Sequence, residues 1–160
     1  MNPTPIARFA ALALVAGLAS AASARTESSG ASSLVVARPW SRPAPAGGAG
    51  VVYLTITNRG ARPDALVGAA SPAAARVTIH QTLHVGAVIA MRSLASLPIP
   101  AGRAVSLVPG GAHLMLEDLT RPLRPGDRIA VTLTFSRAGA RTITSVVGVG
   151  EAEPMAGMRM

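Results

Sequence analysis

The chain has 160 residues, 49% of them hydrophobic, with 15 Arg and no Lys against seven acids, only four aromatics among Phe, Trp and Tyr, and no Cys. That length and apolar content suit one domain with a buried core and argue against wholesale disorder. The absence of Cys excludes disulfide scaffolds, thiolate nucleophiles, iron–sulfur clusters and Cys-based zinc sites. The net charge of +8 comes from single, scattered Arg without interleaved aromatics, which argues against a nucleic-acid-binding face.

Residues 1–24 read as an export signal. Arg8 gives a positive start, Phe9 to Ala19 form an uncharged apolar run, and Ala22-Ser23-Ala24 is the small-x-small pattern of a cleavage site. The run is shorter than the roughly 20 residues that span a bilayer, and Arg25 and Glu27 follow it closely. The expectation is a cleaved signal, a periplasmic protein and no membrane span. Residues 25–33 (RTESSGASS) read as a polar, flexible tether.

From Leu34 onward, short β-branched runs alternate with Gly, Pro, Asn and Asp punctuation. Strands are expected at 34–40, 51–57, 64–70, 76–82, 87–94, 104–108, 113–118, 128–135 and 141–149. Turns are expected at Asn58-Arg59-Gly60, Pro109-Gly110-Gly111 and Pro125-Gly126-Asp127. No segment holds a 3.6-residue apolar period. Residues 34–149 therefore read as one all-β domain, an antiparallel sandwich with Greek-key connections, followed by a Met-rich flexible tail at 150–160 that carries Met155, Met158 and Met160.

Acids are few and scattered, no His has an evident Ser and Asp partner, and no Gly-rich loop leads into a helix, so the chain is not expected to be an enzyme. Attention falls instead on three His and the Met beside them. His113 and Met115 share one face of their strand while Leu114 and Leu116 take the other. A hairpin centred on Val85-Gly86, with a four-residue loop His84 to Ala87, sets His80 opposite Met91. Each pair alone also reads as a packed or solvent-facing accident. Together they suggest a four-ligand site of two imidazoles and two thioethers. Thioethers are neutral, soft and weak toward Zn²⁺, Mg²⁺ or Ca²⁺, whereas monovalent copper accepts them readily. A blue-copper electron carrier would need a Cys thiolate. His84 reads either as a loop residue or as an extra ligand for Cu(II) at an auxiliary site. Trp40 reads as core, with a place beside the metal site as the alternative.

His80, Met91, His113 and Met115 reproduce the spacing H-x10-M-x21-H-x-M, and the text around them (Ala37-Arg38-Pro39-Trp40, Tyr53-Leu54-Thr55-Ile56-Thr57-Asn58, Pro109-Gly110-Gly111-Ala112-His113) resembles the PCuAC family of periplasmic copper chaperones. The resemblance spans about residues 35–147. It implies a cupredoxin-like fold, one Cu(I) held by His80, Met91, His113 and Met115, a monomer, and delivery to a copper-accepting protein: the CuA centre of cytochrome c oxidase subunit II or a Sco-type assembly factor. Where many members carry a Met after the first His, this chain has Gln81-Thr82. The competing class is a non-metal β-sandwich binding or adhesion module of the cell envelope, for which only Trp40 and Tyr53 offer surface aromatics.

Overall fold

The structure is a computed structural model that describes residues 33–148. The expected signal segment, all but the last residue of the tether, and the tail lie outside the described residues. Ten strands occur: β1 (Leu34–Ser41), β2 (Gly50–Asn58), β3 (Asp64–Ala70), β4 (Ala74–Val85), β5 (Val88–Leu94), β6 (Leu97–Ile99), β7 (Ala104–Leu107), β8 (Ala112–Leu119), β9 (Arg128–Phe135) and β10 (Gly139–Val147). There is no helix among the described residues. All nine expected strands form, and all three expected turns separate strands. The tenth, β6, is three residues long and contains Pro98, too short and too interrupted to announce itself by alternation.

Alternation decides which face each residue takes. In β9 the buried positions are Ile129, Val131, Leu133 and Phe135, separated by exposed or half-buried polar and small residues. The strands join in the order β5-β4-β8-β2-β1-β10-β9-β3-β6, and a bridge between Ala69 of β3 and Val77 of β4 closes seven of them into a barrel-like ring. Where a two-sheet sandwich was expected, hydrogen bonding thus runs continuously around the core. Val52, Ile56, Leu66, Ile99, Leu114, Leu116, Val131 and Leu133 fill its centre. The pair β1–β10 is parallel and the remaining pairs are antiparallel. Outside the ring, β5 is left as an edge strand beyond β4.

Two local features place the outer face. The β4–β5 hairpin turns on Gly86-Ala87, with Val85 opposite Val88. Gly86 has φ +61°, and it occupies the first central position, as a two-residue turn of the Gly-x kind requires. The expected register, a four-residue loop from His84 to Ala87 centred on Val85-Gly86, is therefore corrected: His80 faces Ser93 and Met91 faces Thr82. His84 lies in β4, opposite Ile89, and not in a loop. Because the correction moves the pairing by an even step, Met91 keeps the face of His80.

The second feature is a bulge in β1. Ala37 faces Thr55, yet Trp40 faces Tyr53, so Arg38 and Pro39 together span one residue of β2. Arg38 takes a left-handed φ of 51° there. Before the bulge, even-numbered β1 residues face the core; after it, Ser41 does, at 0% exposure. Trp40, expected in the core, is turned to the outer face and stacks on Tyr53 at 4.7 Å between ring centroids.

Asn58 ties the bottom of the barrel. Buried at the end of β2, it donates from Nδ2 to the carbonyls of Arg62 (2.8 Å) and Ile99 (3.3 Å) and accepts at Oδ1 from the Gly60 amide (2.9 Å). Asn58→Leu should cost about 2 kcal/mol, because two carbonyls and an amide lose their partner. The check is a urea titration whose midpoint falls while its slope stays unchanged.

Asp127 closes the Pro125-Gly126 turn by accepting from the Arg124 amide (2.9 Å) and from Arg121 Nη1 (3.0 Å). The Arg124 amide first, and the Arg121 guanidinium after it, hold this carboxyl below its ordinary value. A lowered carboxyl contributes stability that is present above the ordinary Asp range and lost as pH falls through the lowered value. Asp127→Asn should therefore lower the urea midpoint at pH 7 and show a smaller further loss on acidification than the parent chain.

Candidate metal centre

One row of side chains crosses the outer face of five adjacent strands. Trp40 (β1) faces Tyr53 (β2), His113 (β8) faces His80 (β4), and His80 faces Ser93 (β5). The Tyr53 ring meets the His113 ring at 6.3 Å, and the two imidazoles stand 5.9 Å apart, each contact edge to face. The opposite faces of β4 and β8 carry Val77, Ile79, Leu114 and Leu116 into the core, so the burial of those four fixes which way both imidazoles point.

The four expected ligands share this face without being equivalent. Met115 faces Thr78, one diagonal step from His80 across the β4–β8 ladder. Met91 faces Thr82, one diagonal step from His80 on its other side, and is 62% exposed. His113 is 4% exposed and Met115 and His80 are half-buried. The register thus gathers His80, His113 and Met115, and leaves Met91 on the projecting hairpin as the outermost donor.

Hydrogen-bond partners assign the tautomers of both imidazoles. His113 Nδ1 lies 3.2 Å from the Gly111 carbonyl, which can only accept, so Nδ1 carries the proton and Nε2 the lone pair. His80 Nε2 lies 3.1 Å from Thr78 Oγ1, whose own hydrogen goes to Glu117 Oε1 at 2.8 Å. The hydroxyl must then accept from His80, which puts the proton on Nε2 and the lone pair on Nδ1. That Nδ1 is buried and has no hydrogen-bond partner among the described residues. A buried basic nitrogen without a partner is costly unless an unseen ligand satisfies it. Each imidazole thus spends one nitrogen on an anchoring donor bond and keeps the other free, as metal-bound histidines do.

The anchor behind His80 is itself fixed. Glu117 accepts from Thr78 and pairs with Arg76 at 3.0 Å. The Thr78 hydroxyl first, with Arg76 adding to it, holds the Glu117 carboxyl below its ordinary value, so it stays an acceptor. Thr78 and Glu117 were not assigned to the site from sequence, and Tyr53 entered only as a surface aromatic of the competing adhesion class. The signal existed, since Thr78 precedes His80 by two and Glu117 follows Met115 by two, which puts each on its neighbour's face. What the sequence could not supply was the alignment of β4 with β8.

Chemically the face offers two neutral imidazole lone pairs and two thioethers. Among the described residues no three His, Asp or Glu gather as a harder metal would require. Thr78→Val removes the acceptor for His80 Nε2–H. The ¹⁵N shifts of His80 should then move from the Nε2–H form toward a mixture of tautomers, while thermal stability changes little. An unchanged tautomer would show that Thr78 does not set it.

Comparison with known proteins places this face in context. The family model described as "Putative lipoprotein LpqE-like" matches residues 34–147. The "Putative lipoprotein Lxx21020" of Leifsonia xyli subsp. xyli is 36% identical over 116 residues, 72% of this chain and 69% of that protein. Among solved structures, the copper-bound PCuAC domain from PmoF2 superposes with a TM-score of 0.60 at 28% identity, covering 74% of this chain and 94% of that one. The solution structure of Cu(I)-bound DR1885 from Deinococcus radiodurans does so with a TM-score of 0.57 at 31% identity, covering 74% and 82%.

Proposed function

The chain belongs to the LpqE-like family, and from that premise and the paired imidazoles of β4 and β8 we propose that it is an exported copper chaperone. It binds one Cu(I) and passes it to a copper-accepting protein. The observation that carries this reading is the pair of lone pairs, His80 Nδ1 and His113 Nε2, on directly opposed residues whose other nitrogens are already committed. Likeness to copper-binding PCuAC domains supports it independently.

Met115, a diagonal step from His80, supplies the third donor, and Met91 reaches in from the hairpin as the fourth. Two imidazoles and two thioethers, none of them an anionic donor, suit the soft d¹⁰ ion. Thioethers also permit release. A partner's thiolates are charged and softer, and they replace Met91 first because it is the exposed donor. A cupredoxin-like chain with no Cys can then act as donor to the CuA centre of subunit II or to a Sco-type factor, each of which the family resemblance suggests. The role is stoichiometric transfer, not turnover.

Export agrees with the lipoprotein description of the family and of the Leifsonia protein. No residue of the 160 is Cys, so a lipid thioether has no attachment point within them. No helix of the described residues is long and apolar enough to cross a membrane.

Competition for Cu(I) against a chromogenic chelator tests the ligand set. His113→Ala should weaken binding by more than about a hundredfold, exceeding the effect of losing an outer hydrogen-bond partner. Met91→Leu should weaken it less and slow transfer to a thiol acceptor. Binding by His113→Ala as tight as the parent's sinks the proposal.

A further inference from the structure

The corrected hairpin register gives Met91 two imidazole neighbours where the expected register gave it one. Met91 faces Thr82, and His80 and His84 stand two residues to either side of Thr82 on the same strand. All four side chains share the outer face of the hairpin. Met91 is therefore diagonal to His80 on the barrel side and diagonal to His84 on the turn side. Diagonal positions across an antiparallel pair lie about 7–8 Å apart, within reach of long side chains. His80 and His84 are separated by twice the two-residue repeat and cannot bind one ion together without distorting the strand.

His84 is exposed and faces the exposed Ile89. Val85 and Val88 at the turn are also exposed, at 67% and 63%. The end of the hairpin is thus a projecting apolar element that carries one imidazole and one thioether, and neither takes part in the core.

We propose that His84 and Met91 form an outer station for monovalent copper, with the Met91 thioether shared between this station and the inner His80–His113 pair. The inference rests on the proposed function, since it assigns the route by which the same ion reaches and leaves the inner site. An ion first meets the solvent-exposed imidazole and thioether. Rotation about the three flexible side-chain bonds of Met91 then swings its sulfur toward His80, carrying the ion to the lone pairs of His80 and His113. No redox change is involved, because the ion stays monovalent throughout. The inner station binds more tightly, since it adds a second imidazole and Met115. Release runs in the reverse order, and the acceptor meets copper at the hairpin tip.

Ag(I) serves as the probe, a soft d¹⁰ ion without redox chemistry. The full chain carrying Met155→Leu, Met158→Leu and Met160→Leu is titrated while the His ring and Met methyl resonances are followed by NMR. The first equivalent should shift His80, His113 and Met115. The second should shift His84, and the Met91 methyl should move in both steps. Adding His84→Ala, at an exposed position that leaves folding unaffected, should abolish the second step and keep the first at the same affinity. A second equivalent that leaves His84 unmoved, or that still shifts Met91 in the His84→Ala chain, overturns the outer station and leaves the inner site intact. A first equivalent that misses His80 and His113 instead overturns the proposed function, and the outer station with it.

Discussion

The ladder between β4 and β8 determines everything on the outer face. Its inner side pairs Val77 with Leu116 and Ile79 with Leu114, four residues that the core holds almost fully buried. Sliding β4 by one residue along β8 would turn Val77 and Ile79 out of the core, at roughly 1.5–3 kcal/mol for each aliphatic side chain exposed. The core therefore enforces the register, and the register in turn sets His80 opposite His113. The imidazole pair is aligned by apolar packing on the other side of the sheet, before any ion contributes.

On this base the polar groups refine orientation. Gly111 and Thr78 each take one ring hydrogen, and Glu117 with Arg76 fixes the Thr78 hydroxyl. These partners work in sequence: a surface ion pair of small intrinsic worth holds a carboxylate, the carboxylate directs a hydroxyl, and the hydroxyl directs an imidazole. The stabilisation from the Arg76–Glu117 pair is modest, and its value lies in direction. Tyr53 closes the other flank of His113, leaving the approach from the hairpin side open.

Much of this was legible in the linear sequence. Period-two alternation gave the strands and placed His113 and Met115 on one face and Leu114 and Leu116 on the other, as found. The spacing of His80, Met91, His113 and Met115 pointed to a soft-metal site on the face where the structure now places all four. The hairpin partner of His80 was misread because the same residues suit a four-residue loop from His84 to Ala87 or a two-residue turn on Gly86-Ala87, and only the backbone shows which. Trp40 was misassigned because a bulge changes the parity of a strand without any mark that alternation can detect. Thr78 and Glu117 were not assigned to the site because their significance depends on two residues 39 apart in sequence lying side by side.

That bulge has a further meaning for how the chain can vary. Between Ala37 and Trp40 the strand counts one residue more than its partner, so face is decided there by length and not by side-chain chemistry. Substitutions at Arg38 or Pro39 leave the count intact. Straightening the bulge at unchanged length would bring Trp40 opposite Val52, force an indole into the packed interior and expel Ser41 from its buried place beside Ser145, whereas deleting either residue turns the bulge into a regular step and leaves Trp40 opposite Tyr53. The wall of the site and the filling of the barrel are thus coupled through a single integer. In this segment losing the bulge without losing a residue is the more damaging change, and a divergent chain can keep the site either with the bulge or one residue shorter without it.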